Sequence, residues 1–348
     1  IFVAVPAFIR VEPVITSAPV IGVMAMSTIF SSAEFLLAAQ VIIVGLGVFP
    51  LYLLCEKKSR KNIYSVLISA TYLTFPAIVA PIFYELHENS FLPFLLLSLL
   101  YCIEQKKFKA AYIFAVLTLL VKEDAAVYLC SVALYTVFAK KEYKHGSLMF
   151  VLGAVYFAVV LTVMSYFGRG LVDSHYETYY LNGERGVLPI IKNMFLNPGF
   201  VIGMCFSTET VEFILYTLGA LLFVPLISRK LSNLWLVVPY FLLNLAADYT
   251  YQHDIGFQYV FGSAALLIFL YALNIHRFAK RTMHTVLITV FAACMCGVYT
   301  YKGDMNQIIK QYNSQIALYE ENERLLNRIP KDCSVTASSY IVSHLSKV

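Results

Sequence analysis

Three clusters of ionisable residues interrupt an otherwise apolar chain, and they are where chemistry would be done. The tightest is the run Lys122, Glu123 and Asp124, set between two short apolar stretches where ionisable groups are expensive and mark function or internal pairing. Glu123 or Asp124 suits cation binding or a catalytic role, and Lys122 suits neutralisation of a phosphate. A plain turn whose charges reach the headgroups is the alternative. The second cluster, Glu85, His87, Glu88 and Asn89, has the residue types for metal binding or acid and base work, although a solvated loop carries the same residues. The third holds Asp248, Tyr249, Tyr251, Gln252, His253, Asp254, Gln258 and Tyr259. Its rings fit an interfacial belt or a sugar-binding surface, and the belt explains the tyrosines but not the acids. Segment 168–210 adds Arg169, His175, Tyr176, Tyr179, Tyr180, Arg185 and Lys192. A connection of that length is functional or disordered. Tyr179 and Tyr180 suit packing, while Arg185 and Lys192 suit either a lipid phosphate or solvent.

The elements that must position these groups are apolar. The 348 residues are 59% hydrophobic and 14% charged, with mean hydropathy +0.72, whereas soluble domains average about 25% charged residues. A water-soluble fold is excluded on that ground, and the net charge of +5 does not signal nucleic acid because the cations sit in short clusters between apolar runs. About 20 apolar residues cross a hydrocarbon core of roughly 30 Å. Segments 33–55, 63–84, 147–167, 211–227, 231–247, 257–273 and 283–300 satisfy this, and the shorter runs 91–103, 108–121 and 125–139 fit thin or tilted crossings. The reading is therefore an all-α polytopic membrane protein of about ten transmembrane helices. Segment 14–30, broken by Pro19 and Gly22, is placed as an interfacial or re-entrant helix.

Lys and Arg are retained on the cytoplasmic side. The clusters at Lys57, Lys58, Arg60 and Lys61, at Lys106, Lys107 and Lys109, at Lys140, Lys141 and Lys144, at Arg229 and Lys230, and at Arg277, Lys280 and Arg281 fall in alternate connections. The connections bearing acids and histidines are then extracytoplasmic. After Thr300 the chain turns polar: 304–328 has helical spacing and 334–337 is β-prone, which predicts the start of a small α/β extracytoplasmic module. The domains expected are a multi-span region, 1–300, and a truncated soluble module, 301–348. The start at Ile1 and the ending Ser346, Lys347 and Val348 lead us to expect a piece cut at both ends. The seven cysteines show no zinc or disulfide spacing and read as small buried hydrophobes. No Walker sequence, dinucleotide fingerprint, nucleophile elbow or zinc-protease helix is present.

Four strings in order, YELHEN at 84–89, LVKEDA at 120–125, DYTYQHDIGFQY at 248–259 and PKDCSVTASSYIVSHLS at 330–346, resemble the prokaryotic membrane family named domain of unknown function 2079, over nearly the whole chain. That family looks remotely related to glycosyltransferases of the C-type membrane fold, which take a sugar from a polyprenyl-phosphate carrier on the outer face of the cell membrane. The resemblance matches His87 to the family's outward histidine and Lys122, Glu123 and Asp124 to its charged triplet. Arg10, Val11 and Glu12 stand where the family usually has His-Phe-Ser, and Gln258 replaces a usual histidine before Tyr259. In the C-type fold the first outer loop carries an acidic catalytic residue, which is expected to precede Ile1.

The implied catalytic residues are Glu123, Asp124 and His87, with Lys122, Glu88, Arg185, Asp248, His253 and Tyr259 binding substrate. Cations, from side chains or a divalent metal ion, would stabilise the leaving phosphate. Membrane lipid and the lipid-linked sugar donor are the partners implied. A transporter or flippase would instead line its path with charges at mid-membrane, whereas here they gather at the ends of the spans. A non-catalytic scaffold is the third reading.

Overall fold

The computed structural model describes residues 33–58, 62–84, 86–166, 175–181, 183–278, 280–302, 305–326 and 328–329, and every element among them is helical. In chain order these are α1 (Ala33–Gly45), α2 (Val48–Lys58), α3 (Asn62–Thr74), α4 (Pro76–Val79), α5 (Leu92–Glu104), α6 (Phe108–Leu119), α7 (Ala125–Phe138), α8 (Tyr143–Tyr166), α9 (Val187–Leu196), α10 (Pro198–Cys205), α11 (Thr208–Thr217), α12 (Phe261–Asn274), α13 (Arg281–Lys302) and α14 (Met305–Leu326). Short 3-10 turns and one π-helix, Tyr240–Leu245, join them.

Among the described residues four helices are long and apolar enough to cross a membrane: Phe35–Lys58, Tyr143–Met164, Gln258–Arg277 and Arg281–Thr300. Two bent pairs raise this to six if each is one span. Prolines explain both bends, since each removes a helical N–H and crowds the preceding turn: Pro76 follows α3 and gives 59°, and Pro198 follows α9 and gives 96°. The other segments expected to cross are shorter or irregular in the described residues, so length and hydropathy pick out four to six of the about ten crossings expected. Segment 211–227 leaves helix after Thr217, where Gly219, two left-handed residues (Leu222 at φ 47° and Phe223 at φ 56°) and Pro225 replace it with 3-10 turns. Segment 231–247 is 3-10 followed by π-helix, with Pro239 between. The expected 14–30 element and the β-prone run at 334–337 lie outside the described residues.

α12 is the centre of the bundle. Within its span 83% of the apolar window is buried, against 22% for Tyr143–Met164 and 17% for Arg281–Thr300, so these two lie at the periphery. α7 and α8 pack antiparallel. Gly146 lies so close to α7 that a Cβ there would stand 2.6 Å from Val137 Cγ2 and 2.9 Å from the Ala133 carbonyl, and Cys130 Sγ reaches the Phe150 carbonyl at 3.9 Å.

Polar contacts sort the connections into two ends. At one, Glu104 is buried (4% side-chain exposure) between Lys58 and Lys140, each at 2.9 Å, and accepts from Tyr135 Oη at 2.5 Å. Lys106 meets Glu142 at 2.7 Å, and Arg277 donates to the Ile227 carbonyl at 2.6 Å. The other end gathers His87, Glu88, Lys122, Asp124, His175 and Tyr259. The lysine-rich ends of α2, α5 and α7 therefore meet one another, as the alternation of positive clusters predicts.

Candidate functional site at the acid-histidine end

The connection leading to α5 is held down by one buried amide. Gln40 on α1 donates through Nε2 to the carbonyls of Pro81, Ile82 and Tyr84 at 3.3, 3.1 and 3.2 Å, and its Oε1 accepts from Ser90 Oγ at 3.2 Å. This fixes the backbone on both sides of His87 and Glu88. His87 stacks on Tyr84 with ring centroids 5.6 Å apart, and Tyr84 packs on Phe257 at 4.7 Å.

Glu88 is buried. One oxygen meets Lys122 Nζ at 3.3 Å and the other lies 3.8 Å from His87 Nδ1. Lys122 also sits over the Tyr259 ring, 5.2 Å from its centroid. Burial alone would raise the Glu88 carboxyl, but the Lys122 ammonium and then the His87 contact outweigh it and hold it at about 2. Burial likewise presses Lys122 toward neutrality, and Glu88, Glu123 and Asp124, in that order, more than offset it and keep the ammonium protonated. Asp124 precedes the first turn of α7 without capping it. Its Oδ1 is buried with no hydrogen-bond partner, and desolvation raises its carboxyl above the ordinary value against the pull of Lys122. A carboxylate oxygen left unsatisfied beside a cation is poised to take a proton or a hydroxyl donor.

The far wall comes from 175–181 and 246–259. His175 stacks on Tyr249 at 4.4 Å, meets Tyr259 edge-on at 5.9 Å, and its Nδ1 is 3.2 Å from Gln252 Nε2. Burial first, then Lys122, lowers its imidazole to about 4, so at neutral pH it is uncharged. Asp248 accepts from the Thr178 N–H at 2.8 Å, and its own N–H donates to the His175 carbonyl at 3.0 Å. Asn244, on the π-helix, donates to the Gln252 carbonyl at 2.7 Å and accepts from Ser263 Oγ at 2.5 Å. An unusual helical turn thus supports the 248–259 connection, in keeping with the frequent placement of π-helical turns at functional sites.

The structure brings together Glu88, His87, Lys122, Asp124 and Tyr259 of the residues expected, with Glu123 close enough to act on Lys122. Asp248 joins the wall through backbone contacts. His253 is half-buried, its Nδ1 lacks a hydrogen-bond partner, and burial lowers its imidazole while a hydrogen bond with the Asn244 backbone and then the Glu209 charge pull the other way. Arg185 is exposed just before α9, away from this cluster. Glu85 lies outside the described residues. Among the described residues no three His, Cys, Asp or Glu side chains converge as metal ligands would, and Glu88 is already taken by Lys122 and His87.

Gln40 and Asn244 were not among the residues expected to form the site, and His175 was named in the 168–210 connection without a role. Gln40 had a signal, a lone amide within an apolar run. His175 and Asn244 had none that separates them from neighbouring polar residues.

This bundle, with a buried ionic cluster at one end of apolar helices, defines a helical membrane protein. A family model described as "Predicted membrane protein (DUF2079)" matches residues 18–347, and the chain belongs to that family. No curated protein and no solved structure matches the chain.

Proposed function

We propose that the chain is a multi-pass cell-membrane glycosyltransferase that takes a sugar from a polyprenyl-phosphate carrier at its acid-histidine, extracytoplasmic face. One observation carries the reading: the unpartnered buried oxygen of Asp124 beside a Lys122 ammonium that Glu88 and the Tyr259 ring hold in place. In the reaction, an acceptor hydroxyl gives its proton to Asp124 and its oxygen bonds to the anomeric carbon. The bond from that carbon to the carrier phosphate breaks, and its electron pair leaves with the phosphate. Glu88 takes one direction of the ammonium, which has three donors, so Lys122 has donors left for that oxygen. The raised affinity of Asp124 for protons makes it a stronger base than a solvated aspartate. A site at the boundary suits this donor, whose phosphate is excluded from hydrocarbon and whose prenyl chain is excluded from water.

The finer architecture of this proposal is ten crossings of C-type arrangement followed by a small soluble module. Two contacts support counting the irregular segments as crossings. Residue 227 lies beside Arg277 at the lysine-rich end, whereas Asn244 lies beside Gln252 at the opposite one. The test is sugar transfer from a polyprenyl-phosphate donor by the purified chain in vesicles. Asp124→Asn and Lys122→Met are each expected to reduce turnover by about 10²-fold or more. Activity should fall as pH drops through the Asp124 value, which lies above that of a free aspartate. Wild-type turnover in both variants would sink the reading.

Proton-coupled transport is the second reading, favoured by one stripe on α7. Asp124, Tyr128, Ser131 and Tyr135 follow at steps of four, three and four, and Tyr135 ends on Glu104 at the opposite end. Glu104→Gln and Tyr128→Phe separate the two, since a transferase keeps its activity in both and a proton-coupled carrier loses substrate-driven proton movement.

A further inference from the structure

The connection between α8 and α11 carries an apolar surface that the ionic cluster does not use. α9 has ten residues and α10 has eight, so they rise roughly 15 and 12 Å, about half of a hydrocarbon core each. They meet at 96°. Their flanks lie at the same end of the bundle: α8 runs antiparallel to α7 away from Lys140, and α11 packs on the 250–253 turn of the acid-histidine end. The pair therefore enters and leaves at one boundary.

One side of this elbow is fastened to the wall of the site. Asn193 donates to the Tyr179 carbonyl at 2.7 Å, Tyr179 Oη donates to the Ala246 carbonyl at 2.8 Å, and Tyr176 Oη donates to the Leu242 carbonyl at 2.8 Å. Ile190, Val201 and Cys205 complete a small buried core with Tyr179 and Ala246. The opposite side is bare and apolar. Leu188, Ile191 and Phe195 recur at i, i+3 and i+7, with Leu188 80% and Phe195 82% exposed, and Phe200 and Ile202 continue the surface. Lys192 is the single charged residue from 187 to 206, and it turns to Glu184 at 3.2 Å on the polar margin.

We infer that α9 and α10 form a re-entrant elbow sunk into the acyl chains of the leaflet at the acid-histidine end, with Leu188, Ile191 and Phe195 in lipid and Lys192 at headgroup level. Lipid is the occupant because both flanks emerge at that bilayer boundary, the arms are too short to cross, and apolar surface of this extent is unstable in water. Lys192, with its long stem and charged tip, has the form that keeps an ammonium wet above a buried apolar face. Through Tyr179 and Asp248 the elbow sets the depth at which His175 meets the bilayer.

Tryptophan scanning tests this independently of any transfer activity. The chain has one tryptophan, so Trp235→Phe supplies a dark background for Leu188→Trp, Phe195→Trp and Lys192→Trp, each in the full chain reconstituted in phosphatidylcholine vesicles. Phe195→Trp is an aromatic exchange on an exposed face and reports even if Leu188→Trp disturbs folding. Positions 188 and 195 are expected to emit at shorter wavelength, to lose intensity when the acyl chains are brominated, and to resist aqueous iodide. Position 192 should show the reverse. Iodide quenching at 188 and 195 equal to that at 192 would overturn the inference, as would protection of both from iodide and brominated lipid alike, which would mean that protein covers the face.

Discussion

Glu88 and Lys122 form the most consequential pair in the molecule, because both are withdrawn from water and each depends on the other for its charge. Removing one partner leaves an uncompensated buried ion, which typically costs about 3–5 kcal/mol, whereas removing both is far milder. Lys122→Met should therefore lower the thermal midpoint in detergent much more than the double variant Lys122→Met, Glu88→Gln. Equal losses in the two would show that the pair is not buried together. The pH dependence has a definite sign. Glu88 is held near 2 in the folded chain against an ordinary 4.5, so the unfolded chain binds the proton more readily. Its stabilisation is complete above about 4.5, fades as pH falls toward 2, and should be missing from the Glu88→Gln melting profile over that window. The triplet and the YELHEN string were legible as candidates from residue type alone. Their convergence with Tyr259 and His175 was not, since nothing in spacing tells which outward connections meet.

Among the elements, the long apolar runs were legible and the broken ones were not. Segment 147–167 reads as a span, and the helix Tyr143–Met164 is long and apolar enough to be one. Segments 211–227 and 231–247 are equally apolar, but hydropathy counts composition and does not register that Gly219, Pro225 and Pro239 prevent a continuous hydrogen-bond ladder. The elbow was concealed for the converse reason: it sits inside a segment whose polar flanks made the whole stretch read as a loop, although the i, i+3, i+7 recurrence of Leu188, Ile191 and Phe195 was there. Glu104 was passed over because Gln105, Lys106 and Lys107 follow it and make it look like a turn residue. One contact between elements can be tested directly. Gly146 lets the α8 backbone approach that of α7, and a methyl there would lie 2.8 Å from the Val137 nitrogen and 2.9 Å from the Ala133 carbonyl, neither of which can swing aside. Gly146→Ala should cost about 1–3 kcal/mol, read as a lower thermal midpoint. An unchanged midpoint would mean that the helices stand further apart.

For the molecule as a whole, sidedness follows from the two-ended distribution of charge. Tyr251, 43% exposed, stands at the acid-histidine end and Lys141 at the lysine-rich one. In intact cells a membrane-impermeant thiol reagent should label Tyr251→Cys and should reach Lys141→Cys only after permeabilisation. The opposite pattern would invert the protein and remove the proposed site from the extracytoplasmic face. The central position of α12 also constrains how the protein is made. Tyr128 and Ser131 of α7 find their partners in Ser263, 135 residues later, and Trp235, 104 residues later. At about 5–20 residues per second, the ribosome needs roughly 7–27 s to deliver Ser263 after Tyr128. During that interval Tyr135 already has Glu104, made before it, whereas the hydroxyl of Tyr128 waits for Ser263 and that of Ser131 for Trp235, so the middle of α7 keeps two polar groups unpaired until the later helices close the bundle.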